Sequence, residues 1–133
     1  MDVVPNSPLV TVIVVNWNGI RFLDECLGSL ERQTWKHRDF VILDNGSIDG
    51  SAERIRAWTG RVQGAQAIYL SKNTGFCEGN NIAFARAQGE WIALLNNDAV
   101  AEPTWLEELV KQGDEGRRIG MLGSKILFFD PPG

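Results

Sequence analysis

Apolar runs of strand length recur along the chain, and most of them stop abruptly in polar, turn-forming residues. Leu9 to Val15 is continuous and rich in Val, which predicts a strand buried on both faces. Asn16-Trp17-Asn18-Gly19 breaks it, and Leu23, Cys26, Leu27 and Leu30 then recur at helical spacing, predicting a helix to about Gln33. Phe40-Val41-Ile42-Leu43 reads as a second buried strand ending in Asp44-Asn45-Gly46-Ser47. Asp49 or Ser51 is placed to cap the next helix, with Ile55 and Trp58 on its inner face. Ala67 to Leu70 is a third strand, followed by Ser71-Lys72-Asn73-Thr74-Gly75. A third helix is predicted over Phe76 to Ala87, where Ala83 and Ala87 would let it approach the sheet closely. Trp91 to Leu95 is the fourth strand, and Pro103 suits the first turn of a helix carrying Leu106, Leu109 and Val110. Ile119 to Phe129 reads as a fifth strand.

Strand and helix alternate throughout, so the expectation is an α/β fold: a mostly parallel, Rossmann-like sheet with helices on both faces. In such a sheet the polar strand ends share one edge. The strand order 3-2-1-4 would put the switch point between strands one and four. Asn16 and Asp98 would then face each other across a crevice, with Asp44 one strand further along.

The chemistry of that edge is oxygen-rich. Asn96-Asn97-Asp98 presents two amide oxygens and a carboxylate, which suits hard divalent cations and sugar or ribose hydroxyls. Asn16 and Asp44 suit a nucleobase edge or ribose. Asp98 suits a Mg²⁺ or Mn²⁺ ion bridging a diphosphate. Gly75 permits close backbone approach by a ligand, and Asn80, inside a helix, either faces the cleft or hydrogen-bonds a neighbouring loop.

Composition narrows the class. At 133 residues, with 44% hydrophobic and 23% charged, the chain is expected to form one domain over residues 1–133. A net charge of -4 gives no reason to expect nucleic acid. Cys26 and Cys77 have no metal-binding spacing, and both are expected to be buried thiols of a reducing, cytoplasmic compartment. No signal-peptide start and no apolar run of membrane-spanning length appears. The sequon Asn45-Gly46-Ser47 is therefore expected to be a coincidence. His37, between Lys36 and Arg38, is expected to be a solvated loop residue. Trp58, Trp91 and Trp105 fall on predicted core faces, and Trp17, beside Asn16, is expected to pack rather than line a pocket.

The ordered set Val12-Ile13-Val14-Val15-Asn16-Trp17-Asn18, Val41 to Gly50, Asn73-Thr74-Gly75-Phe76, Gly79 to Ala83 and Gly89 to Asp98 resembles the family 2 glycosyltransferases, inverting enzymes of GT-A fold. The resemblance implies a nucleotide-sugar donor, a divalent metal (Mg²⁺ or Mn²⁺), and a saccharide or lipid-linked acceptor. It implies a nucleotide-binding set of Asn16, Asn18, Asp44, Ser47, Asn73, Gly75, Asn80, Asn96 and Asn97, with Asp98 on the metal and diphosphate. The family's Asp-x-Asp motif here reads Asn96-Asn97-Asp98, with one carboxylate fewer. That variant is similar to rhamnosyltransferase-like members, which leans the donor towards dTDP-rhamnose over a UDP-linked sugar.

Inverting transfer needs a general base, and in the family that carboxylate lies well downstream. None of these 133 residues matches it, so the base is expected beyond Gly133, and with it any peripheral association with a membrane. The rival readings are a sugar-phosphate nucleotidyltransferase, which should carry a Gly-rich basic loop after strand one, and a non-catalytic nucleotide-binding module. A dehydrogenase or P-loop fold lacks its glycine signature here.

Overall fold

A computed structural model describes residues 7–113 and 118–128. Strands β1 (Val10–Asn16), β2 (Arg38–Asn45), β3 (Ala65–Leu70) and β4 (Trp91–Leu94) alternate with helices α1 (Ile20–Glu31), α2 (Ser51–Arg61), α3 (Phe76–Phe84) and α4 (Trp105–Gly113). The sheet is wholly parallel, in the expected order β3-β2-β1-β4. Alternation along β1 divides the core. Val10, Val12 and Val14 face α1, α2 and α4, meeting Leu23, Leu27, Leu30, Ile55, Trp58 and Leu106. Ile13 points the other way, into a smaller cluster with Val41, Leu43, Ile68 and Ala83 beneath α3. Helices therefore cover both faces.

Several expectations need correcting. The predicted fifth strand is absent: residues 118–128 pair with no strand, and Phe129 lies outside the described residues. Met121, Ile126, Leu127 and Phe128 are exposed. Strand formation rewards burial against neighbours, and Gly120 and Gly123 weaken a run in which Ile119 and Leu122 are only half-buried. Among the described residues, one side-chain hydrogen bond ties the run to the body, the Trp105 indole donating to Ser124 Oγ at 2.7 Å. Helix α3 stops at Phe84 because its last turns tighten, with Arg86 N bonding Ala83 O and Ala87 N bonding Phe84 O. Ala83 and Ala87 nonetheless both pack towards the sheet, as expected.

Cys77 is exposed, not buried. Gly79 and Ala83, four apart, are the sheet-facing positions of α3, which turns Cys77 outward. Pro103 precedes α4 rather than opening it, and its carbonyl accepts from Thr34 N at 2.9 Å. Gly50, at φ 93°, is the N-cap of α2, while Asp49 Oδ1 accepts from Ser51 N at 3.0 Å. His37 is half-buried, its Nδ1–H donating to the Ser7 carbonyl at 2.7 Å.

Candidate functional site

The four C-terminal strand ends sit along one edge, as the topology requires, but in two layers. In the lower layer Asn16, Asp44 and Asn45 are all buried. The reason is register: β1 runs through Asn16 and β2 through Asn45, with Asn16 paired to Asp44 across the ladder. These residues lie inside the sheet, not beyond it. Their polar atoms are accordingly matched within the protein. Asn16 Nδ2 donates to Asp44 Oδ1 (3.1 Å) and Ser47 Oγ (3.3 Å), and Asn16 Oδ1 accepts from Asn97 Nδ2 (2.9 Å). Asp44 Oδ2 accepts from Ser47 N at 3.0 Å. Asn45 spans to the next loop, donating to Gly75 O (3.0 Å) and accepting from Thr74 N (2.9 Å). With its amide committed in this way, the sequon asparagine is no exposed acceptor for a glycan.

The upper layer is a cleft of about 340 Å³ lined by Val15, Trp17, Asn45, Asn73, Gly75, Phe76, Asn96, Asn97 and Asp98. Of the sequence-predicted residues, Asn73, Gly75, Asn96, Asn97 and Asp98 line it. Asn18 and Ser47 stand together on the adjoining rim, with Asn18 N donating to Ser47 Oγ at 2.9 Å and Asn18 Oδ1 accepting from Ile48 N at 2.9 Å. Asn16 and Asp44 lie beneath the cleft, and the residue that reaches Asn16 from the loop after β4 is Asn97 rather than Asp98. Asn80 neither lines the cleft nor bonds another loop. Its Nδ2 donates to Phe76 O, one turn back on its own helix, at 2.8 Å. Asn73 Oδ1 accepts from Gly75 N at 2.8 Å, which shapes the β3–α3 turn where Gly75 takes φ 91°.

Two aromatics give the cleft its apolar part. Trp17 is 54% exposed and Phe76 64% exposed, so Trp17 is a lining residue and not a packing one. Position signals this. Asn16 is the last residue of β1 and stays covered, whereas Trp17 is the first residue past the ladder and leaves it. Phe76, the first residue of α3, enters the sequence reading only within the run Asn73 to Phe76 and with no role of its own.

The loop after β4 is held from below by α1 and the turn that follows it, in a way that no motif announces. Cys26 Sγ–H donates to Asn96 O at 3.4 Å, Ser29 Oγ accepts from Ala101 N at 3.0 Å, and Gln33 Nε2 donates to Glu102 O at 2.7 Å. Burial, aided by the Asp98 charge, pushes the Cys26 thiol up to about 12, so it stays a neutral donor. The turn closes with Ala99 N on Asn96 O at 3.1 Å. Asn96 and Asp98 are left exposed with no side-chain hydrogen bond among the described residues.

Among the described residues Asp98 is the only acidic one lining the cleft, and no cluster of three acidic, Cys or His side chains occurs. One carboxylate beside an amide oxygen is a poor complete cage. It fits a hexacoordinate cation that keeps its waters and takes further ligands from substrate phosphates.

Residues 11–133 match the family described as Glycosyl transferase family 2. The chain belongs to that family. Its GT-A fold is likewise that of solved relatives. It is 26% identical to a mannosyltransferase from Pyrobaculum calidifontis in complex with GDP-Man and Mn²⁺, with TM-score 0.67, over 70% of this chain and 28% of that one. It matches S. aureus TarS 1-349 in complex with UDP-GlcNAc at 22% identity and TM-score 0.71, over 77% of this chain and 30% of that one. An uncharacterized glycosyltransferase of Haemophilus influenzae is 28% identical over 121 residues, 91% of this chain and 38% of that protein. The family 2 chain thus spans less than half the length of these relatives.

Proposed function

We propose that this family 2 chain supplies the donor-binding half of an inverting glycosyltransferase, with a nucleotide-sugar in the cleft and its diphosphate against Asp98. The observation that carries the reading is the Asp98 carboxylate itself. It is exposed in the cleft, free of side-chain hydrogen bonds among the described residues, and set on a turn fixed by Cys26, Asn16 and Ala99. A committed loop bearing an uncommitted carboxylate is a preorganised ligand site. Asp98 would hold Mg²⁺ or Mn²⁺, whose chemistry is to neutralise diphosphate charge as the leaving group departs. The mannosyltransferase neighbour, bound to GDP-Man and Mn²⁺, supports that reading.

Trp17 and Phe76 offer flat apolar faces for a nucleoside on the other side of the cleft. Asn16 and Asp44 would act on it from beneath, by fixing the rim loop that carries Asn18 and Ser47. The acceptor hydroxyl, on a saccharide or lipid-linked molecule, would be activated by a base outside these 133 residues. The Asn96-Asn97-Asp98 form of the motif leans the donor towards a dTDP-linked sugar. A nucleotidyltransferase is disfavoured by the β1–α1 connection, which is only Trp17-Asn18-Gly19 and carries no basic residue.

Calorimetric titration of the chain with UDP, dTDP and GDP, each with and without Mn²⁺, tests the proposal. One of the three should bind, and more tightly with the metal. No binding of any of them in either condition would remove the donor-site reading.

A further inference from the structure

The hydrogen bonds under the cleft have a direction. Asp44 can only accept when ionised, and its two oxygens take Ser47 N and Asn16 Nδ2 at 3.0 and 3.1 Å. That fixes which end of the Asn16 amide faces β2. Ser47 Oγ, already accepting from Asn18 N, takes Asn16 Nδ2 as well and reinforces the choice. Asn16 must therefore present its oxygen towards β4, and whatever stands at position 97 must donate. Asn97 does so at 2.9 Å.

The backbone around this contact is cut to fit it. A Cβ on Gly19 would lie 2.5 Å from Asn16 Oδ1 and closer still to Asn97 Nδ2, so the first residue before α1 has no side chain where the two amides meet. The pair is enclosed from above by a glycine and from below by a buried carboxylate.

We infer that Asn97 is a positioning residue, held by a one-way chain Asp44–Asn16–Asn97 that fixes the next residue, Asp98, in the cleft. The middle position of the triad then requires an amide because of a carboxylate two strands away. Its nitrogen is committed downward to Asn16 Oδ1, and its part in placing Asp98 runs through that bond. The positioning role rests on the proposed donor site. The direction of the chain does not.

A charge swap tests the direction. Asn97→Asp sets a second acceptor against Asn16 Oδ1 and should lower the melting temperature by roughly 5–10 °C. Asp44→Asn lets the chain run backwards: the new amide keeps its oxygen on Ser47 N and donates to Asn16, which turns over and donates towards position 97. In that background Asn97→Asp should be neutral or stabilising. The same cost for Asn97→Asp in both backgrounds would overturn the one-way chain.

Positioning is tested by titrating wild type and Asn97→Ala with UDP, dTDP and GDP in Mn²⁺. Affinity for whichever nucleotide binds should fall roughly 10–100-fold, as for other groups that orient a metal ligand, while metal-free affinity changes little. Equal loss with and without Mn²⁺, or no loss, would overturn the role of Asn97. Wild type that binds none of the three would overturn the donor-site reading, and the positioning role with it, whatever the charge swap shows.

Discussion

Replacing Asn16 by aspartate exchanges one NH₂ for one oxygen and leaves the shape unchanged, yet it should be among the costliest isosteric changes in the chain. Asn16 is 0% exposed and Asp44 2% exposed, with 3.1 Å between Asn16 Nδ2 and Asp44 Oδ1. Two carboxylates in that geometry cannot both ionise. The least costly arrangement keeps the new carboxyl protonated, its O–H donating to Asp44 and its other oxygen still accepting from Asn97. Holding a group of reference pKa about 3.9 neutral at pH 7 costs about 4 kcal/mol, and at pH 5 about 1.5 kcal/mol.

The folded pKa of the introduced group is raised above its unfolded value. Stability is therefore intact below about pH 4 and is lost as pH rises, until the folded pKa is reached. Against a total of about 5–15 kcal/mol the deficit at neutral pH is large. Urea unfolding of Asn16→Asp and wild type between pH 4 and 8 measures it. The difference should grow by about 1.4 kcal/mol per pH unit. A variant as stable as wild type at pH 7, or a deficit independent of pH, would refute the buried amide–carboxylate pairing.

Gly19→Ala should destabilise by about 1–3 kcal/mol, because its Cβ overlaps the Asn16–Asn97 pair, and should weaken Mn²⁺-dependent nucleotide binding in calorimetry. Gly120→Ala, with nothing within 4 Å, is the control and should leave both unchanged. With the Cys26 thiol pushed up to about 12 and Cys77 exposed, a thiol-disulfide dye at pH 8 should label one cysteine in the native chain and two in denaturant. The Arg61 guanidinium bonded to Glu31 holds the Glu31 carboxyl below its usual value, so that contribution is present above the ordinary glutamate range and is lost as pH falls through the depressed value. Glu31→Gln should flatten the acid limb of a stability–pH curve without altering nucleotide affinity, since it lies on the α1–α2 surface away from the cleft.

Most of the fold was legible in the chain because buried parallel strands write themselves as unbroken apolar runs. Val10 to Val15 and Phe40 to Leu43 have no polar face to confuse the reading, and their polar ends mark the edge where a ligand would bind. What periodicity does not encode is depth. Asn16 and Trp17 are neighbours, and the pattern suggests a polar ligand and a packing aromatic. The structure reverses them, because the ladder extends one residue past the apolar run, burying the amide and exposing the indole. Cys77 reads as buried because it sits among apolar neighbours, whereas the face set by Gly79 and Ala83 is the one that meets the sheet and turns Cys77 outward. The run 119–128 looks like a strand by composition, but among the described residues no neighbouring strand pairs with it. The anchoring of the β4 loop by Cys26, Ser29 and Gln33 joins residues about 70 positions apart and leaves no local trace.

In the proposed function Asp98 is the ligand that couples metal to nucleotide. Calorimetric titration of wild type and Asp98→Ala with UDP, dTDP and GDP, with and without Mn²⁺, addresses it directly. Wild type should bind one nucleotide more tightly in Mn²⁺, and Asp98→Ala should keep the metal-free affinity while losing the increment. An increment that survives in Asp98→Ala, or wild-type binding indifferent to metal, would contradict it.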